Sequence, residues 1–124
     1  MMSKRLNFVT LAALAGLMGP APTLAHHGWQ WAESQNSELK GKIKSVKLGN
    51  PHGVLVIEVE GAEWTVEVGQ PWRNARAGLK DEMLQTGVEV TIEGHKSANA
   101  GERRMKAERV TLDGQRYDLY PDRD

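Results

Sequence analysis

Short stretches that alternate between apolar and polar residues fill the chain from residue 37 onward, and one helical stretch interrupts them. Alternation with a period of two is the pattern of a half-buried β-strand. Pro71 stands where proline favours the start of a helix, and Gly78 is expected to weaken that helix or divide it. Asp113-Gly114 predicts a tight hairpin turn. The predicted strands are 37–48, 54–59, 63–68, 88–93, 105–112 and 116–120.

The order of these elements is three strands, a short helix, two strands and a tail strand. This order predicts an all-β domain with one short helix, a small OB-like β-barrel of five to six strands. Leu39 and Ile43 share one face of the first strand, whereas Val46 and Leu48 share the other. The change of phase predicts a β-bulge near Lys44-Ser45, which would curve the strand as a small barrel requires. The alternative is an open β-sandwich or meander with the helix outside.

Residues 1–25 have the features of a secretory signal peptide. Lys4 and Arg5 are followed by the apolar stretch Leu6–Met18, and Thr23-Leu24-Ala25 forms a small-x-Ala cleavage site. The apolar stretch is short for a membrane span, so no stable span is expected after cleavage. The sequence therefore predicts a periplasmic or secreted protein.

Cleavage after Ala25 would leave 99 of the 124 residues, which include an N-terminal arm (26–36) and the barrel domain (37–120). The remaining chain would carry 14 basic and 16 acidic side chains, a balance that offers no electrostatic basis for nucleic acid binding. The chain has no cysteine, so stability must come from packing, and thiolate-ligated metals and cysteine nucleophiles are excluded.

A histidine at the new N-terminus would be suited to metal binding. His26 would offer its α-amine and its ring Nδ1 to one ion, and a second histidine could complete a planar nitrogen set that suits Cu(II). The candidate ligands are His26, His27, His52 and His95. His52, at a turn, and His95, after the fourth strand, are expected to be exposed and deprotonated. Each histidine also has an interpretation without a metal. His26 and His27 could form a solvated terminus, His52 could be a turn residue that caps backbone groups, and His95 could be a solvated loop residue.

A second set of residues indicates a ligand groove. Trp64 and Trp72 lie in apolar patterns that are typical of a core or a groove, and Arg73 and Arg76 could bind a carboxylate or phosphate. The arginines could equally form a solvated helix face. Since no Ser-His-Asp arrangement, phosphate loop or HExxH motif is present, no enzymatic activity is expected.

The chain resembles a family of small exported bacterial proteins catalogued as a domain of unknown function. The resemblance covers nearly all of the mature chain and implies no known activity. The familiar form continues His-His-Ser, whereas this chain has His27-Gly28-Trp29. A weaker similarity, in fold and compartment alone, is to small periplasmic OB-fold copper chaperones, whose Met-x-Met ligand spacing is absent here. The motifs that carry the family resemblance are Ala25-His26-His27, Leu39-x-Gly41-x-Ile43, Asn50-Pro51-His52, Trp64, Pro71, Arg76-x-Gly78 and Gly87-x-x-Val90-Thr91.

These features together predict a small exported protein that binds copper or a similar ion, with a role in storage, delivery or tolerance. The protein would bind the metal ion, and another periplasmic protein could be a second partner. The arm is expected to fold back, with Trp29 and Trp31 packed on the barrel, so that His26 lies near His52. The alternative is a metal-free binding module that holds a small ligand or protein partner in the groove. A copper-dependent oxidative activity is a third alternative.

Overall fold

The computed structural model of the protein describes residues 28–123, so the predicted signal peptide, His26 and His27 lie outside the described residues. The strands are β1 (Ala32–Lys47), β2 (Val54–Val59), β3 (Ala62–Glu67), β4 (Glu89–Ser97), β5 (Arg104–Leu112) and β6 (Gln115–Asp118). Between β3 and β4 lie the helix α1 (Pro71–Ala77) and a 3-10 turn (Asp81–Met83). The predicted order of strands and helix is confirmed.

The strands form one sheet in the order β3-β2-β1-β4-β5-β6, and each neighbouring pair in this order is antiparallel. A further, parallel pairing joins β3 to β5, with Thr65 opposite Arg104, Val66 opposite Met105 and Glu67 opposite Lys106. This pairing closes β1 to β5 into a ring and leaves β6 attached to its edge. The all-β, OB-like arrangement is therefore confirmed over the open meander.

The first strand is longer than its sequence pattern indicates. It begins at Ala32 and runs for 16 residues, so part of the predicted arm belongs to the sheet. Its pairing with β2 shifts register between Ile43 and Ser45, which confirms the predicted bulge and makes Lys44 the extra residue. The bulge shifts the alternation by one residue, so that Leu39 and Ile43 before it and Val46 after it all pack against the same core.

The interior of the ring is filled by apolar side chains from every strand of the ring and from the segment that follows α1. Met105, predicted to be a core residue, is fully buried there. The buried apolar residues are Leu39, Ile43, Leu55, Ile57, Val66, Val68, Leu79, Leu84, Val90, Ile92, Met105, Ala107, Val110, Leu112 and Leu119. Burial of this set stabilises the domain in the absence of disulfides.

The helix α1 is short and is bounded by the two residues that the sequence singles out. Pro71 is at its start and Gly78, with a φ of 88°, ends it in the left-handed conformation. The helix therefore makes only about two turns, and its buried residue is Asn74. Trp72 is 53% exposed, so of its two predicted locations, the core or a groove, the core is wrong. Within residues 28–123, no helix is both long enough and apolar enough to span a membrane.

Candidate functional site: a cationic cleft where the ring closes

A cleft of about 620 Å³ lies beside the parallel pairing of β3 and β5. Its size is in the range of small-molecule sites, which is roughly 300–1,000 Å³. We call it the closure cleft because it lies where the two strands close the ring. Its lining residues are Gly28, Trp29, Trp31, Pro51, His52, Glu67, Gln70, Arg73, Arg104, Lys106 and Tyr120.

The floor of the closure cleft follows from strand register. Glu67 and Lys106 are opposite each other in the parallel pairing, and Arg104 precedes Lys106 by two residues. Residues two apart on a strand share a face, so Arg104 and Lys106 both lie on the side that carries the cleft. The Arg104 Nε donates to Oε2 of Glu67 at 3.0 Å, and a second guanidinium nitrogen of Arg104 contacts the same oxygen.

The loop between β1 and β2 places His52 over this floor. The Gly53 N–H donates to the Gly69 carbonyl at 3.0 Å, and the Gly53 carbonyl accepts from the Val68 N–H at 2.9 Å, which extends the β2–β3 ladder. A Cβ at residue 53 would lie 2.8 Å from a methyl group of Val68, so any larger residue would force the neighbouring side chains to shift. His52 Nε2 consequently lies 3.2 Å from Oε1 of Glu67.

Asn74 holds the segment between β3 and α1, and this segment positions Arg73 at the cleft. Its buried side chain accepts from the Gly69 N–H at 2.9 Å and donates to the Gly69 carbonyl at 3.1 Å. Arg73, the preceding residue, donates from Nε to Gln70 Oε1 at 3.3 Å and from a terminal nitrogen to the Leu119 carbonyl at 3.2 Å. The guanidinium of Arg73 is therefore held at the cleft by groups on both sides.

The segment of the arm that the structure describes packs onto the barrel, as predicted. Trp29 meets Tyr120 edge-on with ring centroids 5.0 Å apart, and it meets His95 in the same way at 5.2 Å. A Cβ at Gly28 would lie 3.5 Å from Lys106 Nζ, so the described chain begins above the floor of the closure cleft. The expected proximity of His26 to His52 stays a prediction, because His26 is outside the described residues.

Each cation of the closure cleft lies over at least one aromatic ring. The distance from the charged group to the ring centroid is 3.7 Å for Arg104 over Trp31 and 4.1 Å for Arg73 over Tyr120. Lys106 Nζ lies 5.7 Å from the Trp29 centroid and 5.8 Å from that of Tyr120. Distances within about 6 Å are those of cation–π interactions.

Burial sets the protonation of several groups in the cleft. It lowers the pKa of His52; nearby Glu67 opposes this effect, and the charges of Lys106 and Arg104 add to it. His52 is therefore neutral at neutral pH. Burial also lowers the pKa of Lys106, against the opposing effect of Glu67, and raises the pKa of Tyr120, which keeps its hydroxyl protonated.

His95 does not lie on an exposed loop, and the prediction of exposure is wrong. It is 4% exposed because β4 continues to Ser97 and the early part of β1 pairs alongside it. Its Nδ1 lies 2.6 Å from the Glu33 carbonyl oxygen, which can only accept, so Nδ1 carries a proton. Its Nε2 lies 2.5 Å from Glu108 Oε2. As a metal ligand, which stays a prediction, His95 would have to exchange one of these partners.

Of the predicted groove residues, the structure brings only Arg73 into the closure cleft. Trp64 is half-buried against the core with Lys96 Nζ 5.2 Å from its ring centroid, and it borders another depression. Trp72 and Arg76 are exposed on α1. The Arg73 guanidinium carbon does lie 4.5 Å from the Trp72 ring centroid, but Trp64 borders a different depression, so the three side chains do not line one groove. Sequence reasoning missed Glu67, Arg104, Lys106 and Tyr120 because the pairing of β3 with β5 joins distant segments.

The described residues contain no group of three or more histidine, aspartate or glutamate side chains placed to hold a metal ion together. His52 and Glu67 are a pair of possible ligand groups within the closure cleft. A metal site at this position would need further ligands from the part of the chain before residue 28.

Comparison with solved structures finds the same fold in part of a much larger protein. The ZRD-deleted mutant of TiaS in complex with agmatine matches with a TM-score of 0.51 and 13% identity, over 68% of this chain and 26% of that chain. Apo TiaS, a tRNAIle2 agmatidine synthetase, gives a TM-score of 0.48 and 14% identity over 63% of this chain and 18% of that chain. The chain spans about a quarter or less of these proteins, and the first likeness, with a TM-score of 0.51, shows the fold alone.

Among curated proteins, none matches this sequence significantly. The sequence model of one family does match, over residues 14–106. This range extends from the predicted signal peptide into β5 and includes the loop of His52, the helix of Arg73 and the strand residues Arg104 and Lys106. The chain belongs to DUF6152, a family of unknown function.

Proposed function

We propose that this chain is a binding module that holds a small anionic ligand in the closure cleft, in the exported location predicted from residues 1–25. One observation carries the proposal. The three cations of the cleft, Arg73, Arg104 and Lys106, each lie over aromatic rings. Among the described residues that line the cleft, Glu67 is the one carboxylate.

Aromatic rings orient cations without neutralising them. The face of a ring attracts a cation through its quadrupole, but it carries no net charge, so the rings do not compensate the positive charge. The cleft contains three such cations and one carboxylate, with His52 neutral, so its net charge is positive. In a half-enclosed site this charge acts through a lower effective dielectric than water, which strengthens its attraction for anions.

The cleft also supplies hydrogen-bond donors, one neutral and one charged. The Tyr120 hydroxyl stays protonated because burial raises its pKa, and the ring that carries it lies 4.1 Å from the Arg73 guanidinium carbon and 5.8 Å from Lys106 Nζ. Lys106 is 3% exposed and directs its ammonium, which has three N–H donors, toward Glu67 and the space under Gly28. Such groups bind oxyanions through charge-assisted hydrogen bonds.

Isothermal calorimetry with acetate, succinate and phosphate at constant ionic strength tests the proposal. Arg73→Gln should weaken binding of whichever anion binds by about tenfold or more, since it removes a hydrogen bond to a charged group. Arg76→Gln is the matched control, because Arg76 lies one turn further along the same helix and outside the cleft. Absence of binding by all three anions, or equal losses in both variants, would refute the proposal.

Copper binding is a second candidate function, favoured by one observation. Gly28 lines the same cleft as His52, and only residue 27 separates Gly28 from His26 in the sequence. A neutral His52 is in the state that metal binding requires. The three cations of the cleft weigh against it, since they repel a divalent ion.

Copper titration of the processed protein tests this second candidate, after mass spectrometry has located its N-terminus. His26→Ala and a variant with one extra N-terminal residue should both lose tight Cu(II) binding, because each removes part of the amine–imidazole chelate. If the extended variant binds as tightly as the wild type, the α-amine is not a ligand. His52→Ala reports whether the closure cleft contributes a nitrogen.

A further inference from the structure

We infer that the anion held in the closure cleft is hydrogenphosphate, and that Glu67 selects it over sulfate by accepting the hydrogen bond of its single hydroxyl. This inference rests on the proposed function and adds the identity of the ligand to it. It starts from the presence of a carboxylate in a cleft that is otherwise cationic.

The carboxylate of Glu67 is held unequally at its two oxygens. Oε2 accepts from Arg104, with Nε at 3.0 Å and a second nitrogen closer. Oε1 lies 3.2 Å from His52 Nε2 and 3.7 Å from Lys106 Nζ, both longer than the roughly 2.7–2.9 Å of strong charge-assisted hydrogen bonds. Oε1 therefore keeps capacity to accept a further, shorter hydrogen bond.

A ligand that fits both the three cations and the free accepting capacity of Glu67 must be an anion that also donates a hydrogen bond. The three cations attract negative charge, whereas Glu67, only 4% exposed, repels any ligand oxygen that cannot donate to it. Hydrogenphosphate carries two negative charges and one O–H group. Sulfate has the same charge and shape but no hydrogen, so it would leave two anionic oxygens facing each other in a poorly solvated place.

The net charge of the cleft matches a dianion. Three cations against one carboxylate leave two positive charges, with His52 neutral. A monocarboxylate would compensate only one of them. The cations also approach from two sides, because Arg104 and Lys106 share one face of β5 whereas Arg73 comes from α1. A tetrahedral oxyanion has oxygens directed to both sides, which a planar carboxylate lacks.

Calorimetry with phosphate, sulfate and methyl phosphate at about pH 8, where a phosphomonoester is a dianion without an O–H group, tests the inference. We expect phosphate to bind about tenfold or more tightly than either sulfate or methyl phosphate, the value of one hydrogen bond between charged partners. Methyl phosphate also distinguishes free phosphate from phosphate esters as the source of the ligand.

Glu67→Gln should narrow the preference for phosphate over sulfate to less than about threefold, because the carboxamide can donate to sulfate. Glu63→Gln is the matched control, since Glu63 lies on the same strand with an exposed side chain paired to Lys44. The preference should be unchanged in that variant. The methyl phosphate comparison in the wild type needs no variant and so decides the question even if Glu67→Gln does not fold.

The outcomes separate this inference from the proposed function. If phosphate, sulfate and methyl phosphate bind the wild type equally, the selective role of Glu67 is refuted while anion binding stands. If succinate binds and phosphate does not, the ligand class is wrong and the proposed function again stands. If no anion binds, both fail.

Discussion

Lys106 and Glu67 are direct neighbours across the parallel pairing of β5 with β3, and Lys106 Nζ lies 3.7 Å from Glu67 Oε1 inside the closure cleft. The pairing that closes the ring is therefore the same pairing that assembles the charged floor of the site. Both side chains are almost completely buried, so their mutual attraction compensates for part of their desolvation. Substitutions of Lys106 or Glu67 are therefore expected to affect both the closure of the ring and the binding site.

We expect Lys106→Met to lower anion affinity by about tenfold or more, because it removes one of the three cations and its N–H donors. Methionine keeps most of the side-chain volume, and Glu67 retains its contacts with Arg104, so the protein should remain folded. Calorimetry measures the affinity and circular dichroism checks the fold. Lys42→Met, an exposed substitution on β1, should leave the affinity unchanged.

Stability should fall as the pH is lowered below about 6.5, the ordinary pKa of histidine, and His52 should contribute to the fall. Burial lowers the pKa of His52 in the folded state, so the unfolded chain binds more protons between the two pKa values. By linkage, the free energy of unfolding then decreases with decreasing pH across that window. Urea unfolding at several pH values would measure it.

The same pH series on His52→Gln isolates the contribution of this histidine. The variant should show a shallower decrease below about pH 6.5 than the wild type, because it lacks the titrating group. Parallel curves for the two proteins would mean that the environment of His52 does not favour its neutral form.

Asn74→Ala should lower the free energy of unfolding by about 1–3 kcal/mol, because it leaves buried polar groups of Gly69 without their partner. Asn74 makes two hydrogen bonds to that residue, at 2.9 and 3.1 Å. Anion affinity should fall as well, since the connection that presents Arg73 is loosened. Gln85→Ala is the control, because it removes one exposed hydrogen bond. It should lower the free energy of unfolding, measured with urea, by less than about 1 kcal/mol.

Trp29→Leu should speed amide hydrogen exchange at the start of β1. The Trp29 ring contacts Tyr120 and His95 edge-on, and its carbonyl accepts from the Ala32 N–H at 3.0 Å. Losing the ring removes these contacts and frees the segment to open locally. Trp72→Leu is the control, because that ring is largely exposed, and exchange at Ala32 should not change. Equal effects would contradict a role for Trp29 packing.

Local features of the fold were predictable from sequence because they depend on a few adjacent residues. Pro71 starts α1, Gly78 ends it, and the phase change at Lys44 marks the bulge. The Asp113-Gly114 turn joins β5 and β6 with Leu112 opposite Gln115, as a two-residue hairpin requires.

The site was less predictable, since it depends on long-range register. Glu67 and Arg104 are 37 residues apart and meet only because β3 and β5 pair in parallel. The alternation of apolar and polar residues within a strand does not show which distant strand will pair with it. The sequence predicts an exposed His95 at the end of the fourth strand, whereas β4 continues to Ser97 and the early part of β1 pairs with it and buries His95. A cation near the start of a helix, such as Arg73, is recognisable from adjacent residues, whereas the rings that orient it come from distant parts of the chain.

Arg123 lies over Trp29, with its guanidinium carbon 3.7 Å from the ring centroid, so both ends of the described chain meet at one side chain. A short linker could join them in a circular permutant, with new ends opened in the exposed loop at Ala98–Gly101. Such a protein would have no α-amine before Trp29 but would keep the whole closure cleft. Phosphate binding would survive the rearrangement and an amine-anchored copper site would not, so one molecule would separate the two candidate functions.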